Sequence, residues 1–115
     1  LQVSRNGDLS NWMIPTRGIG STGGAMDLAA TAKKVIIAME HNVKGNLAKI
    51  VNECTFPLTA RTCVNEIITD IAAIEIDQEN DRMILRETAP GWSFDDVQAR
   101  TEARLTIDGD VGQMA

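Results

Sequence analysis

Aromatic side chains are nearly absent, at 3% of the chain, so the core has to be aliphatic. The chain also offers no stock of rings on which single-stranded nucleic acid could stack. Positive charge is in deficit: 11 Lys and Arg stand against 16 Asp and Glu, a net charge of −5. A surface that follows phosphate backbones needs the opposite balance, so no nucleic acid partner is expected. A small anionic ligand is still allowed, because backbone amides at a helix start attract phosphate or carboxylate whatever the net charge. Apolar stretches such as Val35 to Met39 are far shorter than the roughly 20 residues of a membrane-spanning helix, and no membrane association is expected. Cys54 and Cys63 are too few for a disulfide scaffold and wrongly spaced for a zinc pair. With His41 as the single histidine, no metal site is expected either. Both thiols read as reduced and structural, which fits a cytoplasmic location. Leu1-Gln2-Val3-Ser4-Arg5-Asn6 lacks the apolar centre of a signal peptide.

What is present is enough for one folded unit. Hydrophobic residues make up 43% of 115 residues and charged ones 23%, as in ordinary globular domains. Residues 1–115 are read as a single domain, with 108–115 a frayed tail. Asn6-Gly7-Asp8 is a turn signal, and Asn11 to Ile14, closed by Pro15, reads as a short strand. Ala25 to Lys34 is rich in helix formers. Val35 to Met39 is a continuous, partly β-branched run of the kind found in strands buried on both faces. Strand, glycine-rich loop, helix and buried strand in that order predict an α/β domain with an open, mostly parallel sheet and flanking helices.

Further along, Leu47, Ile50 and Val51 sit at helical spacing, which predicts a helix over Leu47 to Glu53. Val64 to Ile76 mixes both periodicities, and its β-branched content favours two short strands. Asp77 to Asp81 reads as a hairpin turn and Met83 to Glu87 as a strand. Pro90-Gly91 is a turn, and Ser93 with Asp96 forms a capping box that starts a helix over Phe94 to Glu102. A strand near Leu105 to Ile107 follows.

Gly18-Ile19-Gly20-Ser21-Thr22-Gly23 satisfies the G-x-G-x-x-G pattern, and Glu40 lies near the offset at which dinucleotide folds place a ribose-binding acid. A NAD-type dinucleotide-binding domain is therefore one reading. Against it, Pro15, Thr16 and Arg17 separate the strand from the first glycine, where a phosphate-binding turn needs immediate access, so a purely structural loop is the other.

A longer pattern points elsewhere. Asn11-Trp12-Met13-Ile14-Pro15, Gly23-Gly24-Ala25-Met26-Asp27-Leu28 and Ala32-Lys33-Lys34-Val35-Ile36-Ile37-Ala38-Met39-Glu40-His41 resemble the β-subunit half of family I CoA-transferases, the 3-oxoacid CoA-transferases. The likeness continues through Cys54-Thr55-Phe56-Pro57-Leu58-Thr59, Cys63 to Asp70, Ala89-Pro90-Gly91 and Asp95 to Glu102, in order, over almost the whole chain.

The resemblance implies a chemistry. A glutamate carboxylate attacks an acyl-CoA thioester to give an acyl-glutamyl anhydride and CoA thiolate. The thiolate returns to form a glutamyl thioester, from which a second carboxylic acid takes the CoA. The family's nucleophile sits in a Glu-Asn-Gly-like motif upstream of the Asn-Trp-Met-Ile-Pro segment. Glu79-Asn80 is followed by Asp81 and does not match it, so no catalytic residue is assigned. The resemblance further implies that backbone amides of Gly23, Gly24 and Ala25 lie against the CoA thioester, where preorganised donors stabilise an oxyanion. Ser21 and Thr22 stand where the family has glycine and methionine.

Taken together, the expectation is the C-terminal half of a CoA-transferase β subunit, inactive by itself and retaining some CoA-thioester binding. No bound cofactor is expected beyond coenzyme A arriving as part of the substrate. Expected partners are acyl-CoA and either the missing transferase half or a further copy of the chain in a homodimer. A non-catalytic interaction module or homo-oligomeric scaffold is the alternative. Lys33, Lys34 and Lys44 are candidate contacts for CoA phosphates. His41 is a candidate base but more simply a loop-ordering side chain, and Glu40, Glu66 and Glu87 are carboxylates near strand ends.

Overall fold

A computed structural model describes residues 1–10, 34–43, 47–55, 58 and 61–114. The Asn11–Ile14 strand, the glycine pattern Gly18 to Gly23, nearly all of the Ala25–Lys34 helix, and Lys33 and Lys44 fall outside the described residues.

The frame is a sheet in which β7 (Val64–Ile68), β8 (Ala72–Asp77) and β9 (Arg82–Thr88) form an antiparallel meander. The local sequence leaves no alternative, because three or four linking residues are too few for a parallel crossover. Thr69 closes the first link: its hydroxyl oxygen accepts from the Ile71 and Ala72 amides at 3.2 and 3.1 Å. Asp77 closes the second, accepting from the Asn80 side chain at 2.9 Å and from Arg82 Nε at 2.9 Å. Those two donors hold the Asp77 carboxyl below its ordinary pKa.

Parallel pairing is confined to the flanks. β3 (Val35–Ala38) runs parallel to β7 on one side. On the other, β10 (Leu105–Thr106) and β11 (Gly112–Gln113) pair in parallel with successive stretches of β9. The sheet is thus mixed, not mostly parallel as the sequence pattern implied, and the segment expected to fray contributes β11. β3 is also not buried on both faces: Val35 and Ile37 pack on the core, while Ile36 is 47% exposed. Where β3 meets β7, Asn65 is the extra residue of an irregular register, and its side-chain oxygen takes the Val35 N–H at 2.8 Å.

A second sheet joins distant segments. β1 (Gln2–Ser4) pairs with β2 (Leu9–Ser10) across the predicted Asn6-Gly7-Asp8 turn, and in parallel with β6 (Ile50–Val51). Two-residue strands β4 (Asn42–Val43) and β5 (Leu47–Ala48) pair antiparallel as a separate two-stranded sheet. The helix expected over Leu47 to Glu53 is therefore two strands. Ile50 and Val51, neighbours in sequence, are both buried by non-local pairing, whereas Leu47 is 67% exposed.

Among the described residues the single helix is α1 (Phe94–Ala99), shorter than the span to Glu102 that the sequence suggested. Six residues cannot hold a helix by propensity alone. Its capping box is formed as predicted: Ser93 Oγ accepts from the Asp96 amide at 3.2 Å, and Asp96 accepts from the Ser93 amide at 3.0 Å. Fully buried Val97 fixes its inner face to the aliphatic core with Met83, Leu85 and Ile74. Ser93→Ala is expected to cost about 1 kcal/mol, read as a lowered urea midpoint with unchanged slope.

Candidate functional site

In α/β sheets, ligands bind beyond the carboxyl ends of parallel strands. Here β3 and β7 end side by side, and the pairing continues past them: the Met39 amide donates to Ile68 O at 3.0 Å, and the His41 amide to Asp70 Oδ1 at 2.8 Å. Glu40 lies exposed between these two contacts.

His41 turns inward and is 2% exposed. Its Nδ1 lies 2.9 Å from Thr69 Oγ1 and its Nε2 2.7 Å from Thr101 Oγ1. Burial pushes its pKa down from 6.5 to about 4, opposed by Asp70 and assisted by Arg100. Next to it, Asn42 Nδ2 donates to Arg100 O at 2.9 Å, tying the same turn to the end of α1. With the side chain buried and both ring nitrogens engaged, His41 orders the structure and is not placed to act as a base.

A shallow open hollow of about 340 Å³ lies at the other end of the β3–β7 pair, lined by Lys34, Asn65, Glu66, Glu75 and Ile76. Glu66 and Glu75 are cross-strand partners, so two carboxylates share one face. Like charges so placed repel, and each is matched by a cation: Lys34 Nζ to Glu66 at 3.5 Å, Arg86 Nη2 to Glu75 at 3.2 Å. Neither works as an unbalanced acid–base pair, and Lys34 spends its charge on Glu66. Sequence reasoning singled out Glu66 but not Glu75; only the β7–β8 register brings them together.

The remaining candidates are dispersed. Glu87 is exposed on β9 alongside β11. Cys54 and Cys63 are free and half-buried, and burial raises both thiol pKa values, the reverse of what a thiolate nucleophile needs. Among the described residues, no three His, Cys, Asp or Glu side chains gather as a metal site, and no helix is long and apolar enough to cross a membrane. Glu79-Asn80 lies in the exposed β8–β9 turn. The expected thioester contacts Gly23, Gly24 and Ala25 lie outside the described residues.

The sequence profile of the family described as coenzyme A transferase matches residues 1–100. The chain is 47% identical over 107 residues to one subunit of the succinyl-CoA:3-ketoacid coenzyme A transferase of Helicobacter pylori, covering 93% of this chain and 51% of that protein. It is 44% identical over 108 residues to the β subunit of a probable coenzyme A transferase of Bacillus subtilis, covering 94% and 49%. It thus spans about half the length of these curated relatives. In fold it matches an acyl-CoA transferase of Escherichia coli O157:H7, solved as a thioester complex with CoA, with a TM-score of 0.81 at 20% identity over 99% of this chain and 26% of that one. A profile match over most of its length, with a shared fold, means that this chain belongs to the coenzyme A transferase family.

Proposed function

We propose that these residues are the C-terminal part of a CoA-transferase β subunit, which frames the acyl-CoA site while another stretch of polypeptide supplies the nucleophile. The family match over residues 1–100 carries this reading, coupled with the lack of any Glu-Asn-Gly in the sequence. Two of the described carboxylates support it from the other side: Glu66 and Glu75 share a face but are each paired with a cation. The relatives are named as subunits, which favours a partner chain in the working enzyme. The substrate class is an acyl-CoA and a carboxylic acid acceptor, with succinyl-CoA and a 3-ketoacid as the first pair to try. Gly23, Gly24 and Ala25 are the residues assigned to the thioester.

Incubated alone with succinyl-CoA and acetoacetate, the 115-residue chain is expected to show no CoA transfer and no glutamyl–CoA adduct by mass spectrometry. Turnover, or a trapped adduct, would defeat the proposal. Calorimetry with CoA and with NAD separates the neighbouring readings. Weak CoA binding weakened further by Gly23→Val supports retained thioester contact. Tight NAD binding favours the dinucleotide reading, and a homodimer that binds neither ligand leaves the scaffold reading.

A further inference from the structure

His41 is a fully buried titratable group with no part in the transfer chemistry proposed above, and its hydrogen-bond partners fix where its proton sits. Thr101 has one hydroxyl proton and gives it to Val97 O at 2.8 Å. Towards His41 Nε2, 2.7 Å away, Thr101 Oγ1 can then only accept, so Nε2 carries the ring hydrogen. Nδ1 is left with a lone pair, and the Thr69 hydroxyl 2.9 Å away donates to it. The Thr69 oxygen has both lone pairs occupied by the Ile71 and Ala72 amides, at 3.2 and 3.1 Å.

Every group is satisfied while the ring is neutral. A second ring proton at Nδ1 would face the Thr69 hydroxyl hydrogen. Among the described residues the hydroxyl can turn away only towards Ala72 O, at 3.4 Å, and its oxygen would have to accept a third hydrogen bond. Among the described residues the extra proton has no acceptor.

We propose that His41 is a proton-operated latch: neutral, it clamps the exit of α1 to the adjoining ends of β3 and β7, and protonation at Nδ1 opens that clamp. His41 and the two residues it joins, Thr69 and Thr101, belong to three different connections, so the imidazole is the common point between the helix and the parallel strand pair. Among the described residues, the charged groups facing it are Asp70 from the β7–β8 link, which favours the imidazolium, and Arg100 from the end of α1, which opposes it. Glu102 is turned away to the Asn52 amide. Burial outweighs Asp70, placing the folded-state pKa near 4 against 6.5 for a free imidazole. A group whose folded pKa is depressed contributes its stability above the unfolded value and loses it as pH falls. The latch is therefore closed above about 6.5 and gives way as pH drops towards 4. The inference does not depend on the transferase reading.

Because His41 is the chain's only histidine, its ring nitrogens can be followed by NMR without ambiguity. The expected result is an Nε2–H tautomer at neutral pH, titrating near 4. On acidification, amide exchange at residues 39–42 and 100–103, corrected for intrinsic rates, should rise by about tenfold ahead of the β8–β9 amides. His41→Gln, which keeps one donor and one acceptor but cannot titrate, should remove that acid response. An Nδ1–H tautomer, titration near 6.5, or an equal acid response in His41→Gln overturns the proposal. Should His41→Gln not fold, the tautomer and titration of the wild-type ring decide the question.

Discussion

Gly7→Ala is expected to destabilise the chain by about 2–4 kcal/mol, far more than a glycine-to-alanine change at an exposed turn. Gly7 has φ +87, and a Cβ built there would lie 2.8 Å from Val64 O and 3.0 Å from Gln78 Nε2. The positive φ alone costs an alanine about 1–2 kcal/mol. The contact adds to it, because Val64 O is backbone at the start of β7 and cannot swing aside as a side chain would. The glycine carbonyl also accepts from the Cys63 and Val64 amides, both at 3.1 Å. Pushing Gly7 away therefore stretches the link between the β1–β2 turn and the large sheet, at about 1 kcal/mol for each bond lost. Gly109→Ala is the control: its φ is +81 but nothing lies within 4 Å of the added methyl. Urea unfolding of both variants should give a loss at Gly7 at least about twice that at Gly109. Equal losses would mean that close packing against Val64 is not what requires glycine at this turn.

The Asn6-Gly7-Asp8 turn is legible because its signal is local, and the same holds for the other features that the sequence pattern places correctly. Ser93 and Asp96 are three residues apart, and the turn residues Asp77 to Asp81 sit between two apolar runs; each element is specified by residues that touch each other. Ile50 and Val51 read as part of a helix because what makes them strands lies elsewhere: they pair with Val3 and Ser4. The same reason hides β11, whose Gly112 and Gln113 join the sheet through Glu87 and Thr88. A mostly parallel sheet is the expectation because Val35 to Ala38 reads as a parallel strand, which it is; the antiparallel centre follows from link lengths that the hydrophobic pattern does not weigh. At the candidate site, His41 carries only a general expectation of ordering a loop. Its two partners, Thr69 and Thr101, are 28 and 60 residues away, and threonine is too common for either to stand out. The family likeness reaches further than the residue patterns do, because it draws on an order of segments over the whole chain rather than on any one spacing.

Ile74→Ala is expected to cost about 3–4 kcal/mol, a large part of the roughly 5–15 kcal/mol that holds a domain together. Ile74 is fully buried at the centre of β8, opposite Ile67 on one side and Leu85 on the other. All three belong to the aliphatic cluster that also receives Val97 from α1. Deleting three carbons there leaves a gap that neither neighbouring strand can close, since both are fixed by hydrogen bonds to β8, and a chain this poor in aromatic rings has little with which to fill it. Ile74→Val, which removes one methylene, should cost about 1 kcal/mol. Leu47→Ala is the contrasting change: the side chain is 67% exposed, so its loss should shift stability by no more than about 0.5 kcal/mol. Urea midpoints of the three variants should fall in that order. If Ile74→Ala cost no more than Leu47→Ala, the aliphatic cluster would not be closely packed. Meeting the order would show that position in the sheet, and not aliphatic character alone, decides which side chains hold this nearly ring-free core together.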